Sequence, residues 1–343
     1  MSYSEIPVPN RSQHLWKYTP WNKIHPTKVD NIPAVQNATI ILDGEITSPN
    51  SIRDSDTNLE ISRTFLKETN NTMHSFVISE DNNCLEIVID CSNGMNLCHL
   101  HFDVEVNSNI QISIVGECDW LGLHITGNLD SNLNCSFAII NQISKKTTLL
   151  RCEDWNIARD SSLEYGELSI GGGRVKSDVR TYLNQTNASL KQNVAVMADG
   201  QRHDDHHIEI YHKSGHTYSS LNVNSACTDS GHAIGTGLLV IEEDCDGSDA
   251  GQVFKNLLLS QKAKAESIPE LEVLSDDVSA AHGAASSSVN EEQIHYMMSR
   301  GFDKEDAKSL IVEGFLISNF SKMSNENTRN FLLNHLKAEE SDN

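Results

Sequence analysis

The stretch HLHFDVEVNSNIQISIVGE, residues 99–117, holds two short runs of alternating apolar and polar side chains on either side of a small polar turn. Alternation with a period of two is typical of a half-buried β-strand. The same pattern recurs between Met73 and Ile241, in the segments SFVISE, LEIVIDC, SFAIIN, YGELSI, NVAVMA, HIEIYH and GLLVIEE. Helix signals are nearly absent from this region, so the sequence predicts a mainly β fold.

Several turns in this region share a further cue, a small polar pair followed by an aliphatic residue and then a strand. The aliphatic residues are Ile110, Leu133, Leu163 and Leu190, which lie 23, 30 and 27 residues apart. This spacing suits a solenoid with one coil every 20 to 30 residues or so. A parallel β-helix is the natural interpretation. A β-sandwich has similar strand lengths and turn spacing, so periodicity alone leaves both architectures open.

The region from Phe254 to Phe315 combines strand, turn and helix signals in one order. Two strand-like segments come first, and the small residues of 282–288 then predict a loop. Asn290 is a suitable N-cap for a helix that ends near Gly301, and a second helix begins after Asp303. Each helix has an apolar side, so the pair predicts a helical hairpin over the end of a sheet.

The order NLLLS, IPELEVLSDDV, HGA, EEQIHYMMSRGF and EDAKSLIVEGF, within residues 256–315, closely resembles the C-terminal region of the SufB/SufD family of iron–sulfur cluster assembly proteins. The spacing from Asp276 to His282 is similar to that of SufD. SufB usually has His-Glu at His282-Gly283 and a cysteine near Ala263. The amino-terminal stretch RSQHLWKYTP, residues 11–20, is also similar to SufD.

This resemblance implies a right-handed parallel β-helix core with helical segments at both ends. We therefore expect an N-terminal mixed or helical segment over residues 1–72, a parallel β-helix core over 73–280 and a C-terminal helical domain over 281–343. A chain of 343 residues with 38% hydrophobic content is large enough to bury such a core.

Composition restricts the partners and the compartment. The formal net charge of −22 argues against nucleic acid, which is bound mainly through lysine and arginine. The apolar stretches are shorter than the roughly 20 residues that span a bilayer, and the start of the sequence lacks the pattern of a signal peptide. We expect a cytoplasmic protein, or one of an organellar compartment such as a stroma, without membrane contact. The eight cysteines should be reduced there, and none forms a C-x-x-C pair.

The resemblance also implies a function, that of a non-enzymatic scaffold subunit. SufD-like chains pair with a SufB subunit through their β-helices and dock a SufC ATPase through the C-terminal helices. The sequence has no G-x-x-x-x-G-K-[ST] loop, so ATP hydrolysis is expected of the partner. No intrinsic cofactor is expected, and a cluster would assemble transiently at the interface with a SufB-like subunit. Two other classes stay open: a β-helix polysaccharide lyase or hydrolase, and a diverged structural homo-oligomer, such as a homodimer, without iron chemistry.

His282 is the first candidate site residue, because it matches the family histidine implicated in cluster assembly at the SufB–SufD interface. A neutral imidazole is a sound iron ligand. One histidine cannot hold a cluster, so the thiolate ligands would come from the SufB side. The candidates for ATPase docking are Gln293, Tyr296, Arg300 and the turn at Gly301. Structural roles stay open for all of them: a hydrogen bond within a turn for His282, and a solvated helix face for the others.

The segment from His203 to His207, with His212 and His216 close behind, has a composition that suits a divalent metal. Strand alternation does not place three of these ligands on one face, so a hydrogen-bonded or solvated histidine-rich edge is the alternative. Further on, Asn224 stands where the resembled family usually has a lysine, which puts any role of that lysine in doubt. Gly237 is expected at a tight corner of the solenoid.

Overall fold

The alternating segments form two ten-stranded sheets that face each other across one apolar core. The structure is a computed structural model that describes residues 2–28, 32–53, 60–80 and 84–341. The strands are β1 (Gln36–Asn37), β2 (Thr39–Leu42), β3 (Glu45–Thr47), β4 (Ser51–Ile52), β5 (Thr72–Ile78), β6 (Cys84–Ser92), β7 (Met95–Val104), β8 (Ser108–Glu117), β9 (Trp120–Leu129), β10 (Asn134–Asn141), β11 (Thr148–Ile157), β12 (Ser162–Ser169), β13 (Arg174–Leu183), β14 (Ser189–Ala198), β15 (His203–His212), β16 (Tyr218–Cys227), β17 (His232–Ile241), β18 (Asp249–Leu258), β19 (Lys264–Val273) and β20 (Ser279–Ser288). The α-helices are α1 (Trp21–Ile24), α2 (Ile61–Thr69), α3 (Glu291–Ser299), α4 (Lys304–Phe320) and α5 (Glu326–Ser341), and short 3-10 helices cover Tyr3–Glu5 and His14–Trp16.

From β5 onward the chain alternates between the two sheets, as in a flattened solenoid of about eight coils. The odd-numbered strands β5 to β19 form sheet 1, the even-numbered strands β6 to β20 form sheet 2, and neighbours within each sheet are parallel. This arrangement confirms the parallel β-helix, because the sheets of a β-sandwich are antiparallel. Among the described residues the antiparallel pairs lie at the N-terminal end, where β2 pairs with β3 and β6, and β4 with β5.

The coils have a nearly constant length, which the turns set. Leu163 pairs with Cys135 and with Leu190, so those positions are 28 and 27 residues apart. The predicted period is therefore right, but two of the four predicted positions are out of register: Ile110 is level with Phe137 and Tyr165, and Leu133 lies in the turn before β10. Asn132 bends the chain there with φ +66°. Asparagine and aspartate tolerate this left-handed conformation better than other non-glycine residues.

Alternate side chains of each strand fill the interior. In β9 the inward residues Leu121, Leu123 and Ile125 are fully buried, and each such side chain stabilises the fold by roughly 1.5–3 kcal/mol. The next inward position, Gly127, leaves room for Trp155 of β11, because an added Cβ would lie 2.2 Å from the indole ring. A small residue in one coil thus makes room for a large side chain in the next coil.

The N-terminal segment covers the outer face of sheet 1. Trp16, Trp21 and Phe65 are buried there against Trp120 of β9 and Leu150 of β11. The indole Nε1 of Trp120 donates a hydrogen bond to the Ile24 carbonyl at 2.8 Å. Aromatic packing therefore fixes α1 and α2 on the solenoid.

The C-terminal helices cover part of the outer face of sheet 2. Leu316 and Phe320 of α4 and Leu332 of α5 are buried against alanines of β10, β14 and β16. The predicted hairpin of α3 and α4 is confirmed. Asn290 accepts a hydrogen bond from the Glu292 N–H as N-cap, and Asp303 caps α4 in the same way. Helix α5 lies within the predicted C-terminal helical domain over 281–343, although its bounds were not predicted. No helix in the described part of the chain is long and apolar enough to span a bilayer.

Two local predictions are wrong. Residues 282–288 form part of strand β20 and not a loop, because parallel pairing with β18 runs along the whole segment and satisfies the backbone groups that face β18. Strand β20 also crosses position 280–281, where the sequence analysis placed the boundary between the β-helix core and the C-terminal helical domain. Gly237 lies inside β17 and not at a corner. An added Cβ there would lie 2.1 Å from Gln252 Oε1, so this glycine makes room for interior side chains.

Candidate functional site

The last coil of the solenoid, formed by β19 and β20, ends both sheets in the described part of the chain. Nine of the ten residues of β20 are exposed, whereas the equivalent strands of the middle coils are mostly buried. The terminal strand consists of alanine, serine, glycine and one histidine. Both its faces and one of its edges are therefore open to solvent.

The free edge of β20 presents the backbone of its even-numbered residues. The Ser279 N–H donates to the Ser248 carbonyl at 2.9 Å. In a parallel pair, successive residues bond alternately to the strands on the two sides. The N–H groups of Ala280, His282 and Ala284 therefore point toward the open edge. An edge with unpaired N–H and C=O groups is a template for another strand.

The free edge of β19 is less suited to pairing. The Lys264 N–H donates to the Gly231 carbonyl at 2.9 Å, so even-numbered residues of β19 bond to β17. Pro269, at an odd position, falls on the free edge and has no N–H to offer. Glu266 and Glu270 add negative charge to this strand. Proline and charge are the usual features that prevent edge pairing, so β20 is the available edge.

His282 lies on this open coil and is exposed. It pairs in register with Gln252 of β18, which follows Leu221 and Gln192 in one row of inward positions. The imidazole is thus on the side of β20 that continues the solenoid interior. Within the described residues it makes neither a hydrogen bond nor an ion pair, so both ring nitrogens are available to a ligand or a partner.

The residues expected to dock an ATPase lie around helix α3. A groove of about 510 Å³ runs between α3 and α4, and its lining includes Gln293 and Tyr296. The Arg300 guanidinium lies outside the lining and donates to the Tyr296 hydroxyl at 2.8 Å. Gly301 follows with φ +100° and ends the helix. Gln293 and Tyr296 thus share the groove lining, and Arg300 is hydrogen-bonded to Tyr296. Gly301 ends helix α3.

The apolar part of this groove was missed by the sequence analysis as a surface feature. Met297, Leu310 and Ile311 line the groove together with Gly314 and are only half-buried or less. Their spacing predicts an apolar helix side, which is expected to pack inside the hairpin. A helical pattern identifies such a side but does not say what covers it.

The histidine-rich strand β15 does not assemble a metal site. His203 faces the N-terminal segment, where its Nε2 is 2.8 Å from Thr19 Oγ1, and His207 on the same face is 2.8 Å from Glu209. His206 and His212 point into the solenoid instead, with Nε2 of His206 2.7 Å from Asp204. Among the described residues no group of three histidine, cysteine, aspartate or glutamate side chains is placed to hold an ion. The hydrogen-bonded alternative is the one the structure supports.

The eight cysteines are free thiols, and all but the half-buried Cys84 are buried. Burial raises the pKa of Cys135, Cys152 and Cys227 to about 12. These thiols are neutral at physiological pH, and the thiolate is the form that binds metals. The open coil itself contains no cysteine between Lys264 and Ser288.

A parallel β-solenoid with an uncovered terminal coil and a helical C-terminal extension is the class that this fold defines. Residues 65–315 match the family model described as SUF system FeS cluster assembly, SufBD core domain, and the chain belongs to this family.

Individual relatives point to the SufD branch. The chain is 28% identical to the iron–sulfur cluster assembly protein SufD of Escherichia coli over 162 residues, which are 47% of this chain and 38% of that protein. It is 28% identical to SufD of Bacillus subtilis over 193 residues (56% and 44%), and 27% identical to SufB of the same organism over 179 residues (52% and 37%). The chain thus matches less than half the length of these relatives. The predicted SufD-like membership is confirmed.

Proposed function

We propose that this chain is a non-enzymatic scaffold subunit of SUF iron–sulfur cluster assembly, and that it pairs with a SufB-like subunit by adding a strand to β20. The single observation that carries the proposal is the uncovered ten-residue strand of small residues at the end of sheet 2. Family membership supports this role over that of a glycan-cleaving enzyme.

His282 is the residue of this chain that faces the assembling cluster. It is exposed on the paired strand and its ring nitrogens lack partners among the described residues, so an incoming strand on β20 would bring another chain's ligands beside it. The open coil has no cysteine between Lys264 and Ser288, and seven of the eight cysteines are buried elsewhere, which supports thiolate ligands from the partner. The cluster is cargo at the interface and not a resident cofactor.

A proline substitution tests the pairing. Ala284→Pro removes an N–H from the free edge, and Pro269 already occupies such a free-edge position in β19. Ala284→Ser keeps the N–H and is the matched control. Size-exclusion chromatography with the SufB-like chain from the same cell should show a complex for wild type and Ala284→Ser and none for Ala284→Pro, with unchanged circular dichroism. A complex of wild-type strength with Ala284→Pro contradicts the pairing mode.

The same edge allows two copies of this chain to pair, because a two-fold axis brings identical edges together. Light scattering on the isolated chain measures this directly. A dimer that Ala284→Pro converts to a monomer, and that the SufB-like chain displaces, agrees with the proposal. A dimer that persists in the presence of excess SufB-like chain favours the structural homo-oligomer instead.

The groove between α3 and α4 is the proposed docking site for a SufC-like ATPase. Tyr296 is 57% exposed and lines the groove beside Met297, Leu310 and Ile311, and a contiguous apolar patch of this kind marks protein–protein contacts. Arg300→Glu removes its hydrogen bond to Tyr296 and reverses the charge beside the groove. Pull-down of the ATPase should weaken, whereas Lys146→Glu, in the turn between β10 and β11, should not change it. Unchanged binding by Arg300→Glu removes this face from consideration.

A further inference from the structure

A second cavity, of about 540 Å³, lies on the outer face of sheet 2, between the strands β14, β16 and β18 and the turn that joins α4 to α5. Its volume is within the range of roughly 300–1,000 Å³ that is common for small-molecule sites. It is separate from the open coil and from the groove between α3 and α4. The family resemblance gave no role to the residues that line it, apart from the substitution at Asn224.

The cavity collects positive charge in an acidic protein. Lys191, Lys255 and Lys322 line it, although the chain has 48 acidic and only 26 basic residues. The carboxylate in the lining is Glu164, and its oxygens already accept hydrogen bonds from the N–H groups of Ser324 at 2.7 Å and Asn325 at 3.0 Å. Within the described residues the three ammonium groups form neither ion pairs nor hydrogen bonds. Their charge is therefore available to an anion.

The register of the strands sets the distance between two of these cations. Lys191 of β14 is level with Gly251 of β18, two strands away, and Lys255 lies four residues further along β18. The strand spacing and rise place the two Cα atoms about 16 Å apart. Lys322 approaches from the α4–α5 turn on the opposite wall. An anion with two or more linked phosphates spans more of this distance than a single phosphate does.

The lining also indicates the chemistry of that anion. All the cations among the lining residues are lysines, and the rest of the floor carries amides and hydroxyls, including Asn193, Ser220 and Asn222. Arginine binds carboxylates and phosphates through its two-pronged guanidinium, whereas lysine is a compact point charge that also binds phosphate. Tyr218 stands at the rim with 39% of its surface exposed and offers a ring face to a base.

We propose that this cavity binds a small anion with two or more linked phosphates, of the nucleoside diphosphate or pyrophosphate class. The ligand would join the solenoid strands to the α4–α5 turn. Binding would therefore slow hydrogen exchange in the helices that rest on sheet 2. This inference is independent of the pairing at β20 and of any cluster chemistry.

Titration calorimetry on the full chain tests the site with pyrophosphate and ADP as probes and citrate as a carboxylate of similar charge. The variant Lys191→Gln/Lys255→Gln/Lys322→Gln removes the cations, which are exposed. The control Lys145→Gln/Lys146→Gln/Lys213→Gln removes three lysines that pair with surface carboxylates elsewhere.

We expect pyrophosphate and ADP to bind wild type and the control with equal affinity, and the cavity variant at least tenfold more weakly. Hydrogen exchange in α4 and α5 should slow on binding in wild type and in the control, but not in the cavity variant. Citrate that binds as tightly as pyrophosphate overturns the phosphate assignment. Absence of binding by both phosphate probes at millimolar concentration, or equal binding by the cavity variant, overturns the site.

Discussion

Replacing Arg63 with methionine removes the cation that holds α2 against the outer face of sheet 1. The Arg63 side chain is 1% exposed, its Nε donates to Asp154 Oδ2 at 2.8 Å, and its Nη1 lies 2.5 Å from Asp178 Oδ2. Its Nη2 also donates to the Glu153 carbonyl at 3.1 Å. One side chain of the N-terminal segment thus binds two neighbouring strands, β11 and β13.

The expected loss of stability follows from the carboxylates that remain after Arg63 is replaced. Methionine has a similar length and fills the space, but the buried carboxylate of Asp178 and the half-buried carboxylate of Asp154 lose a cation. Breaking a buried pair by removing one partner costs about 3–5 kcal/mol. Asp178 keeps a second cation, because Arg180 Nη2 lies 3.0 Å from its Oδ2. We therefore expect the lower end, about 3 kcal/mol, out of a total stability of roughly 5–15 kcal/mol.

The loss should depend on pH. Burial alone would raise the pKa of Asp178 and of Asp154. The positive charge of Arg63, together with Arg180 beside Asp178 and His124 beside Asp154, outweighs burial and holds both pKa values below their usual range. A carboxyl with a depressed folded pKa contributes stability that is present above its unfolded pKa of about 3.9 and is lost as pH falls. The variant lacks this contribution, so its difference from wild type should be greatest near neutral pH and shrink below about pH 4.

Urea unfolding of both proteins at neutral and acidic pH measures the difference. Arg159→Met, at an exposed arginine before β12, is the matched control and should change stability by less than about 0.5 kcal/mol. A loss below about 1 kcal/mol for Arg63→Met at neutral pH would refute the buried network as the anchor of α2. A loss that is the same at both pH values would refute the electrostatic reasoning.

Two further predictions concern the covers of the sheets. Gly166→Leu should release α5 from sheet 2, because an added Cβ would lie 2.5 Å from Leu332 Cδ1. Hydrogen exchange should then rise in α5 and not in β12. Unchanged exchange in α5 would contradict this prediction. Burial lowers the pKa of His203 to about 4. Wild type should therefore lose stability as pH falls from about 6.5 toward 4, since only the unfolded state gains the proton there. Thermal unfolding should show a shallower loss for His203→Asn over that range, and parallel curves would contradict the assignment.

Strand content and coil period could be predicted from the sequence because period-two alternation is a local property of each strand. The register could not, because aliphatic residues occur both in strands and in turns. Asn132, Asp160 and Asn187 carry a better signal, since each has positive φ before its strand and they are 28 and 27 residues apart. A turn residue with positive φ marks the place where a coil starts, whereas Leu133 merely lies in the turn before β10.

The open end was predicted only in part. His282 was identified through the family resemblance, but the small residues around it predict a loop, because their intrinsic strand preference is weak. Pairing with β18 decides their conformation, and pairing is a property of the whole fold. The lysine-lined cavity was not predicted at all, since its walls come from residues as far apart as Lys191 and Lys322.

The central claim is that the open coil presents His282 to a cluster that forms between this chain and a SufB-like partner. Anaerobic reconstitution of the complex of the two chains, with wild type or His282→Ala, tests it by iron and sulfide content. We expect the His282→Ala complex to form as wild type does, because the β20 backbone is unchanged, but to hold much less iron and sulfide. Equal iron and sulfide in the two complexes would contradict the account.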